Sequence, residues 1–142
     1  MPDQKRIDAL ASLLANSSRV GQIRAALELV DMGGPQVEQV LLSALNNGDD
    51  HSRATTVMAL TRMKSKAAVA RFEQMLKGNA LFGFGKDRSP QVRQSCAFAL
   101  GELGERRAVR ALEVAAERDE DPEVRQEARS ALERFGVAVS AG

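Results

Sequence analysis

The stretch "DPEVRQEARSALERFG", residues 121–136, decides the fold because it contains the start, the apolar face and the end of one helix. Asp121 can accept hydrogen bonds from the free N–H groups at a helix start, and Pro122 suits the first helical position, where no N–H is needed. Gly136 can end the helix in the left-handed conformation. The apolar residues between them follow the spacing of one helix face: Val124, Ala128, Ala131, Leu132 and Phe135.

The same pattern occurs 32 residues earlier, in "SPQVRQSCAFALGELG" at 89–104. Its Ala-Leu pair also recurs at 59–60 and at 26–27. A second helical pattern follows each of the three complete first patterns after a tight turn. These second patterns are "PQVEQVLLSALN" (35–46), "SKAAVARFEQMLK" (65–77) and "RRAVRALEVAAE" (106–117). A repeat of two helices at this period is typical of an α-solenoid, in which neighbouring pairs stack because one pair buries too little apolar surface alone.

The motifs at 121–136 and 106–117 resemble the first and second helices of the short HEAT-like repeat first noted in phycobilisome lyases. The resemblance implies an all-α, right-handed α-α superhelix of about 3.5 helix pairs, with the second helices lining a concave side. We therefore predict one repeat domain over 1–142. Its parts are a capping helix at 3–15, units at 19–47, 49–78 and 89–119, a half unit at 121–136 and a tail at 137–142.

Individual positions modify this pattern. In the unit at 49–78, Ser52 replaces the apolar residue found at Val92, and Lys64 replaces the terminal glycine. Ala97 and Phe98 widen the apolar arc of the helix at 89–104, so we expect this helix to pack on both sides. The capping helix places four apolar residues on one predicted face: Ile7, Leu10, Leu13 and Leu14.

Composition restricts the function classes. The chain has 142 residues, of which 44% are hydrophobic and 27% charged, as expected for one globular domain. A single cysteine excludes an intramolecular disulfide and a cysteine-based metal site. The start "MPDQKRIDAL" has no apolar run of signal-peptide type, and no segment reaches membrane-spanning length, so we expect a cytoplasmic protein without membrane association.

The segment "KGNALFGFGKDRSP", residues 77–90, interrupts the repeat with a predicted insertion loop at 78–88. It is not a phosphate-binding loop, because Asp87 follows Gly85-Lys86 where Ser or Thr is required. Two interpretations stay open: the apolar residues cover the solenoid edge, or they anchor a partner beside basic residues. The apolar residues are Leu81, Phe82 and Phe84, and the basic residues are Lys77, Lys86 and Arg88.

The concave side of the predicted solenoid should present the non-core residues of the second helices. This strip mixes charged and neutral side chains, which suits a protein partner of complementary charge. Its candidates are Glu38, Gln39 and Ser43, then Arg71, Gln74 and Lys77, and finally Arg110, Glu113 and Glu117.

Other chemistry-bearing residues have structural interpretations. His51, within "GDDHSR", lies where a helix should begin, and Cys96 lies on a predicted core face. The arginines at 53, 93 and 125 occupy equivalent positions, and the resemblance implies an arginine ladder between repeats. We identify no catalytic residue, metal site or cofactor from the sequence.

The leading prediction is a non-catalytic protein–protein interaction scaffold, monomeric, whose partner is another protein. One alternative, implied by the resemblance, is a bilin lyase-like or phycobilisome-associated subunit that handles a chromophore. A second alternative is nucleic-acid binding through residues 53–88, in the basic middle segment 49–88, which holds eight basic and four acidic side chains against a net charge of +1 for the chain. It is disfavoured because the basic run is short and lacks stacking Trp or Tyr.

Overall fold

The computed structural model describes residues 3–79 and 85–137, and within these ranges it contains helices and no strand. Two short 3₁₀ turns, Lys66–Ala68 and Arg106–Ala108, lead into α5 and α7. The α-helices are α1 (Gln4–Asn16), α2 (Arg19–Met32), α3 (Pro35–Ala44), α4 (Asp50–Arg62), α5 (Val69–Lys77), α6 (Pro90–Leu103), α7 (Val109–Arg118) and α8 (Pro122–Arg134).

The chain divides into two compact units, which we call the N-unit (Met1–Ser65) and the C-unit (Lys66–Gly142). The boundary between them lies inside the segment 49–78 that we predicted as one repeat. The capping helix α1 packs most closely on α2, and in both units each second helix packs most closely on the first helix that follows it: α3 on α4, α5 on α6 and α7 on α8. The prediction of one repeat domain over 1–142 stays a prediction.

The N-unit has two layers, because α2 packs against α4 in one layer and α1 packs against α3 in the other. Its core is aliphatic, with Ile7, Leu14 and Leu29 fully buried between the layers. Leu13 was predicted on the same face, but 48% of its surface is exposed. The reason is angular: the buried arc of α1 is centred on Leu10 and Leu14, and Leu13 lies at its edge.

The C-unit repeats this arrangement with α6 and α8 in one layer and α5 and α7 in the other. Small residues let α6 and α8 approach closely. A Cβ added at Gly101 would lie 2.9 Å from the Cβ of Ala131. The core includes Phe72, Leu100 and Leu112, all fully buried, and it needs little aromatic volume because alanines fill the helix contacts.

The helix starts confirm the capping prediction. The carboxylate of Asp121 accepts hydrogen bonds from the backbone N–H groups of Glu123 (2.8 Å) and Val124 (3.2 Å), and Pro122 is the first residue of α8. Asp49 caps α4 in the same way, accepting from the N–H of Ser52 at 2.8 Å. These bonds satisfy N–H groups that a helix start otherwise leaves unpaired.

The helix ends differ between the units. Gly104 ends α6 with φ of +68°, a left-handed conformation that glycine adopts without steric cost. The equivalent residue after α4 is Lys64, whose φ is +57°. The backbone therefore makes the same turn in the N-unit with a side chain that disfavours it by about 1–2 kcal/mol.

Ser52 replaces an apolar residue without leaving a polar atom unsatisfied. Its side chain is fully buried, and its hydroxyl donates a hydrogen bond to the carbonyl of Leu14 at 2.8 Å. That carbonyl belongs to the last turn of α1, where helix carbonyls lack an intrahelical partner. The substitution thus connects α4 to the end of α1.

Three equivalent arginines reach back to the backbone ahead of their own helices. One guanidinium nitrogen of Arg53 donates to the carbonyl of Gly48 (3.0 Å), one of Arg93 to the carbonyl of Asp87 (2.8 Å), and one of Arg125 to the carbonyl of Asp119 (2.7 Å). We call this contact the arginine latch. It fixes the short segment that enters each first helix.

In the C-unit the latch extends into a ladder. Arg93 also donates from Nε to one carboxylate oxygen of Asp119 (3.0 Å) and from a terminal nitrogen to the other (3.1 Å). Both side chains are only 2% exposed. Asp119 therefore connects Arg93 of one repeat with Arg125 of the next, which agrees with the ladder that the resemblance implied.

Phe98 is less enclosed than the sequence suggested. Ala97 is fully buried, but 42% of Phe98 is exposed, and the guanidinium of Arg134 lies 4.9 Å from the centre of its ring. Arg134 also pairs with Glu102 at 3.0 Å. Helix α6 packs on both α5 and α8, and the ring of Phe98 is covered by a cation–π contact with Arg134 of α8.

Candidate interaction surfaces

The N-unit has a cleft between α1 and α3 with a volume of about 280 Å³. We call it the α1/α3 cleft. None of the residues that line this cleft is charged. Those residues are Ala11, Ala15, Gln39, Val40, Ser43, Ala44 and Asn47. The cleft offers amide and hydroxyl groups beside a small apolar floor.

Two of the three N-unit residues predicted for a concave strip lie in this cleft. Gln39 and Ser43 are exposed and four residues apart, so they share one face of α3. Glu38 is half-buried and does not line the cleft, because it lies about 100° around the helix from Gln39. Sequence reasoning missed Ala11 and Ala15. Their i, i+4 spacing on the capping helix was the signal that could have found them.

The C-unit presents charged side chains on α5 and α7 instead. Gln74 and Arg110 are exposed, while Arg71, Lys77 and Glu113 are half-buried. Glu117, near the end of α7, is also exposed. We call the solvent-facing residues of these two helices the α5/α7 strip.

Two ion pairs beside the α5/α7 strip connect α5, and the turn before it, to the segment that leads into α7. Glu73 of α5 accepts a hydrogen bond from Nε of Arg107 at 3.0 Å, and Lys66 lies 3.6 Å from Glu105. The side chain of Glu73 is only 17% exposed. The pair therefore attaches the turn before α7 to α5 and leaves Arg110 to face solvent.

The described parts of the insertion loop are tied to the C-unit. The backbone N–H of Asp87 donates to the carbonyl of Met75 at 2.8 Å, and Nζ of Lys86 donates to Glu120 at 2.6 Å. This hydrogen bond from Lys86 holds the pKa of Glu120 below its usual range. Arg88 is exposed. Leu81, Phe82 and Phe84 lie outside the described residues.

The sequence matches the family described as HEAT repeats over two stretches, residues 7–82 and 79–141. Together the stretches cover nearly the whole chain. The chain belongs to the HEAT-repeat family. No curated protein matches the sequence of this HEAT-repeat chain.

Solved structures show the same fold. Human deoxyhypusine hydroxylase in complex with glycerol is similar with a TM-score of 0.72 and 26% identity, over 95% of this chain and 45% of that chain. The complex of CpcE and CpcF of phycocyanin lyase from Nostoc sp. PCC7120 is similar with a TM-score of 0.75 and 18% identity, over 94% and 80%. The HEAT-repeat chain thus spans less than half of the hydroxylase. The predicted fold class, an all-α superhelix of HEAT-like repeats, is confirmed.

His51 and Cys96, outside these surfaces of the HEAT-repeat chain, have structural surroundings and no catalytic arrangement among the described residues. Nδ1 of His51 lies 2.5 Å from the amide oxygen of Gln22, which connects α4 to α2. Cys96 is fully buried, and this burial raises the pKa of its thiol far above the ordinary value, which disfavours the thiolate. Within residues 3–79 and 85–137, no group of three or more His, Cys, Asp or Glu side chains could hold a metal ion.

Several basic residues of segment 49–88 are paired with carboxylates in the HEAT-repeat fold. Arg53 is buried and donates to Asp50 at 3.0 Å, Lys66 pairs with Glu105, and Lys86 pairs with Glu120. Nucleic-acid binding requires cations that face phosphates. These contacts reduce the basic character that the sequence suggested for this segment. None of the described helices is long and apolar enough to cross a lipid bilayer.

Proposed function

We propose that this HEAT-repeat chain is a non-catalytic scaffold that binds a segment of another protein along its second helices. The observation that carries the proposal is the α1/α3 cleft, in which the exposed residues Gln39 and Ser43 stand beside an apolar floor. A floor of alanine and valine accepts small apolar side chains, and the amide and hydroxyl groups can hydrogen-bond a peptide backbone. A chain segment in extended or helical form would satisfy both.

The α5/α7 strip supports the proposal with charge. Arg110 is basic and exposed, and Glu117 is acidic and exposed seven residues, about two turns, further along α7. Charges of both signs on one surface favour a partner with complementary charges and fix its direction. Such exposed charges mainly affect the association rate and its salt dependence.

The test uses the whole chain as bait for affinity capture, followed by titration of the purified partner against matched variants. Ser43→Arg fills the α1/α3 cleft from an exposed position. Gln126→Arg is the control, because it introduces the same side chain at an exposed position of α8. We expect Ser43→Arg to weaken binding at least about tenfold, a loss equal to about 1.4 kcal/mol, and Gln126→Arg to leave it unchanged.

Charge reversal tests the second surface separately. We expect Arg110→Glu to slow association several-fold at low salt, with the difference shrinking as salt rises. Glu133→Lys, a reversal on exposed α8, is the control. A partner that binds Ser43→Arg and Arg110→Glu as tightly as the parent chain contradicts the placement of its site on the second helices.

Chromophore handling is the alternative with a specific relative, because the Nostoc complex belongs to phycocyanin lyase. The α1/α3 cleft favours a protein segment, since its volume of about 280 Å³ lies just below the range of about 300–1,000 Å³ for small-molecule pockets. A linear tetrapyrrole mixed with the chain should keep its free absorbance spectrum. A red-shifted or intensified band would support the alternative.

The insertion loop is a proposed second contact. Replacing Leu81, Phe82 and Phe84 together with serine separates the two interpretations of the loop. Unchanged thermal stability with weaker partner binding supports a binding element. A fall in the unfolding midpoint by several degrees, with binding retained by the folded fraction, supports a structural cover.

A further inference from the structure

Helix α2 has two apolar faces, and only one of them is buried. Gln22, Ala25, Ala26 and Leu29 face the core of the N-unit. On the solvent-facing side Val20 is 63% exposed, Ile23 is 40% exposed and Leu27 is 41% exposed, and the next residue in the series, Val30, is half-buried. We call Val20, Ile23, Leu27 and Val30 the α2 seam.

The spacing of the α2 seam is that of a coiled-coil interface. Its residues are separated by three, four and three positions, which corresponds to the a, d, a and d positions of a heptad. A helix with this pattern can accept a second helix along the seam by knobs-into-holes packing. Helix α2 would contribute one valine, isoleucine or leucine side chain to every layer of such an interface.

Charges beside the α2 seam select the direction of such a second helix. Arg24 and Asp31 occupy the two e positions, both are exposed, and neither has a hydrogen bond or ion pair among the described residues. Arg19, at a g position, is also exposed. The seam therefore has a basic edge near the start of α2 and an acidic edge near its end.

We propose that the α2 seam is occupied by a second copy of this chain, with the two α2 helices antiparallel. In that arrangement Val20 faces Val30 of the second copy, and Ile23 faces Leu27 of the second copy. The antiparallel e positions then bring Arg24 of each chain beside Asp31 of the other, twice by symmetry. A parallel pair would place Arg19 of one copy beside Arg24 of the other, which is repulsive.

The charges thus make the surface complementary to itself in one direction only. Antiparallel packing also places each helix start near the other helix end, which the helix dipoles favour. The proposal departs from the monomer that we expected from the sequence. It concerns a first helix, so it does not depend on partner binding at the α1/α3 cleft.

The dimer should be weak. A single helix face buries less than the roughly 800 Å² per partner of a standard stable interface. We therefore expect association in the range of about 10 µM to 1 mM, measurable by sedimentation velocity over that concentration range.

The first test replaces one exposed seam residue in the full chain. We expect Leu27→Asp to remove concentration-dependent dimerisation, because it places two carboxylates in adjacent layers of the interface. Phe98→Asp is the matched control, since Phe98 is similarly exposed, lies on α6, and stands beside Arg134. Circular dichroism and thermal unfolding verify that both variants fold.

The second test uses charge exchange, which a nonspecific apolar contact does not reproduce. Arg24→Asp and Asp31→Arg should each weaken the homodimer about tenfold, because two attractions become two repulsions. An equimolar mixture of the two single variants should associate as heterodimers. The double variant Arg24→Asp/Asp31→Arg should dimerise like the parent chain.

Several outcomes would overturn the proposal. These are a parent chain that stays monomeric up to about 1 mM, a dimer that survives Leu27→Asp, and charge variants that fail to recover on mixing. A monomeric chain whose captured partner is lost in Leu27→Asp would instead assign the α2 seam to a different protein.

Discussion

The N-unit and the C-unit place different residues at equivalent points of the repeat. At the third residue of the first helix the N-unit has Ser52, whose hydroxyl binds the carbonyl of Leu14, and the C-unit has Val92 in an apolar core. At the left-handed turn the N-unit has Lys64 and the C-unit has Gly104. The repeat therefore tolerates a departure where a local hydrogen bond or a modest strain compensates for it.

The two units also differ in the charge of the surfaces that α1 and α3, and α5 and α7, present to solvent. The α1/α3 cleft of the N-unit is lined by uncharged residues, whereas the α5/α7 strip of the C-unit carries exposed and paired charges. One repeat architecture thus presents two chemically different surfaces. Side-chain identity at a few positions, and not the backbone, determines the chemical character of each surface.

The largest expected effect comes from the ladder of the C-unit. Asp119→Ala removes the carboxylate that pairs with Arg93 and accepts a hydrogen bond from the N–H of Asp121. Breaking a buried ion pair leaves a desolvated charge and should cost about 3–5 kcal/mol in the free energy of unfolding. Urea denaturation measures the loss. Glu120→Gln, at an exposed residue that pairs with Lys86 and lies 3.5 Å from Arg93, should cost less than about 1 kcal/mol.

Exchanging Ser52 and Val92, each the third residue of a first helix, tests whether each residue is suited to its own unit. Val92→Ser removes buried methyl groups and buries a hydroxyl, so we expect a loss of about 2–3 kcal/mol. Ser52→Val matches Val92 and Val124 of the C-unit but leaves the carbonyl of Leu14 without its donor, at a cost of about 1–2 kcal/mol. Both are measured by urea denaturation. A stabilised Ser52→Val variant would mean that the hydrogen bond is dispensable.

Exchange at the left-handed turn should give opposite signs in the two units. Lys64→Gly should stabilise the chain by about 1 kcal/mol, since it removes the steric cost of φ at +57°. Gly104→Ala should destabilise it by about the same amount. Lys64→Ala retains the Cβ and serves as the control, with no change expected in the thermal midpoint. Equal effects of glycine and alanine at residue 64 would disprove the strain.

The smallest expected effect is on pH dependence. The N–H of Ser52 lowers the pKa of Asp49 below its ordinary value of 3.8, and Lys86 lowers the pKa of Glu120 below 4.5. Because both pKa values are lower in the folded chain, the stabilisation is present above the ordinary values and is lost as pH falls through the folded ones. Unfolding midpoints between about pH 6 and pH 3 should fall less steeply in Asp49→Asn and Glu120→Gln. Unchanged slopes would contradict the assignment.

Sequence reasoning succeeded where the determinants are local. Asp121, Pro122 and Gly136 lie within one helix length, and the structure confirms the cap, the first residue and the left-handed turn. Cys96 was assigned to the core from its spacing along α6, and it is fully buried. These features depend on contacts between residues a few positions apart.

Several features that depend on contacts between distant segments were not predictable from the sequence. The partner of Ser52 lies 38 residues earlier. Arg134, which covers Phe98, lies 36 residues later on another helix. Glu38 and Gln39 were assigned to one strip, but adjacent residues of a helix point about 100° apart, so only Gln39 lines the cleft. The heptad spacing of the α2 seam was readable in the sequence, but its exposure was not.

The arginine latch limits where this chain can be lengthened. In the C-unit each latch spans six residues, from the carbonyl of Asp87 to Arg93 and from the carbonyl of Asp119 to Arg125. Extra residues inside either span would pull the guanidinium off its acceptor. Residues ahead of Asp87 lie outside both spans, and the natural insertion at 78–88 falls almost entirely there. A foreign peptide inserted just before Lys86 should therefore leave the helices of the C-unit in register. This position is a suitable insertion site for new binding sequences.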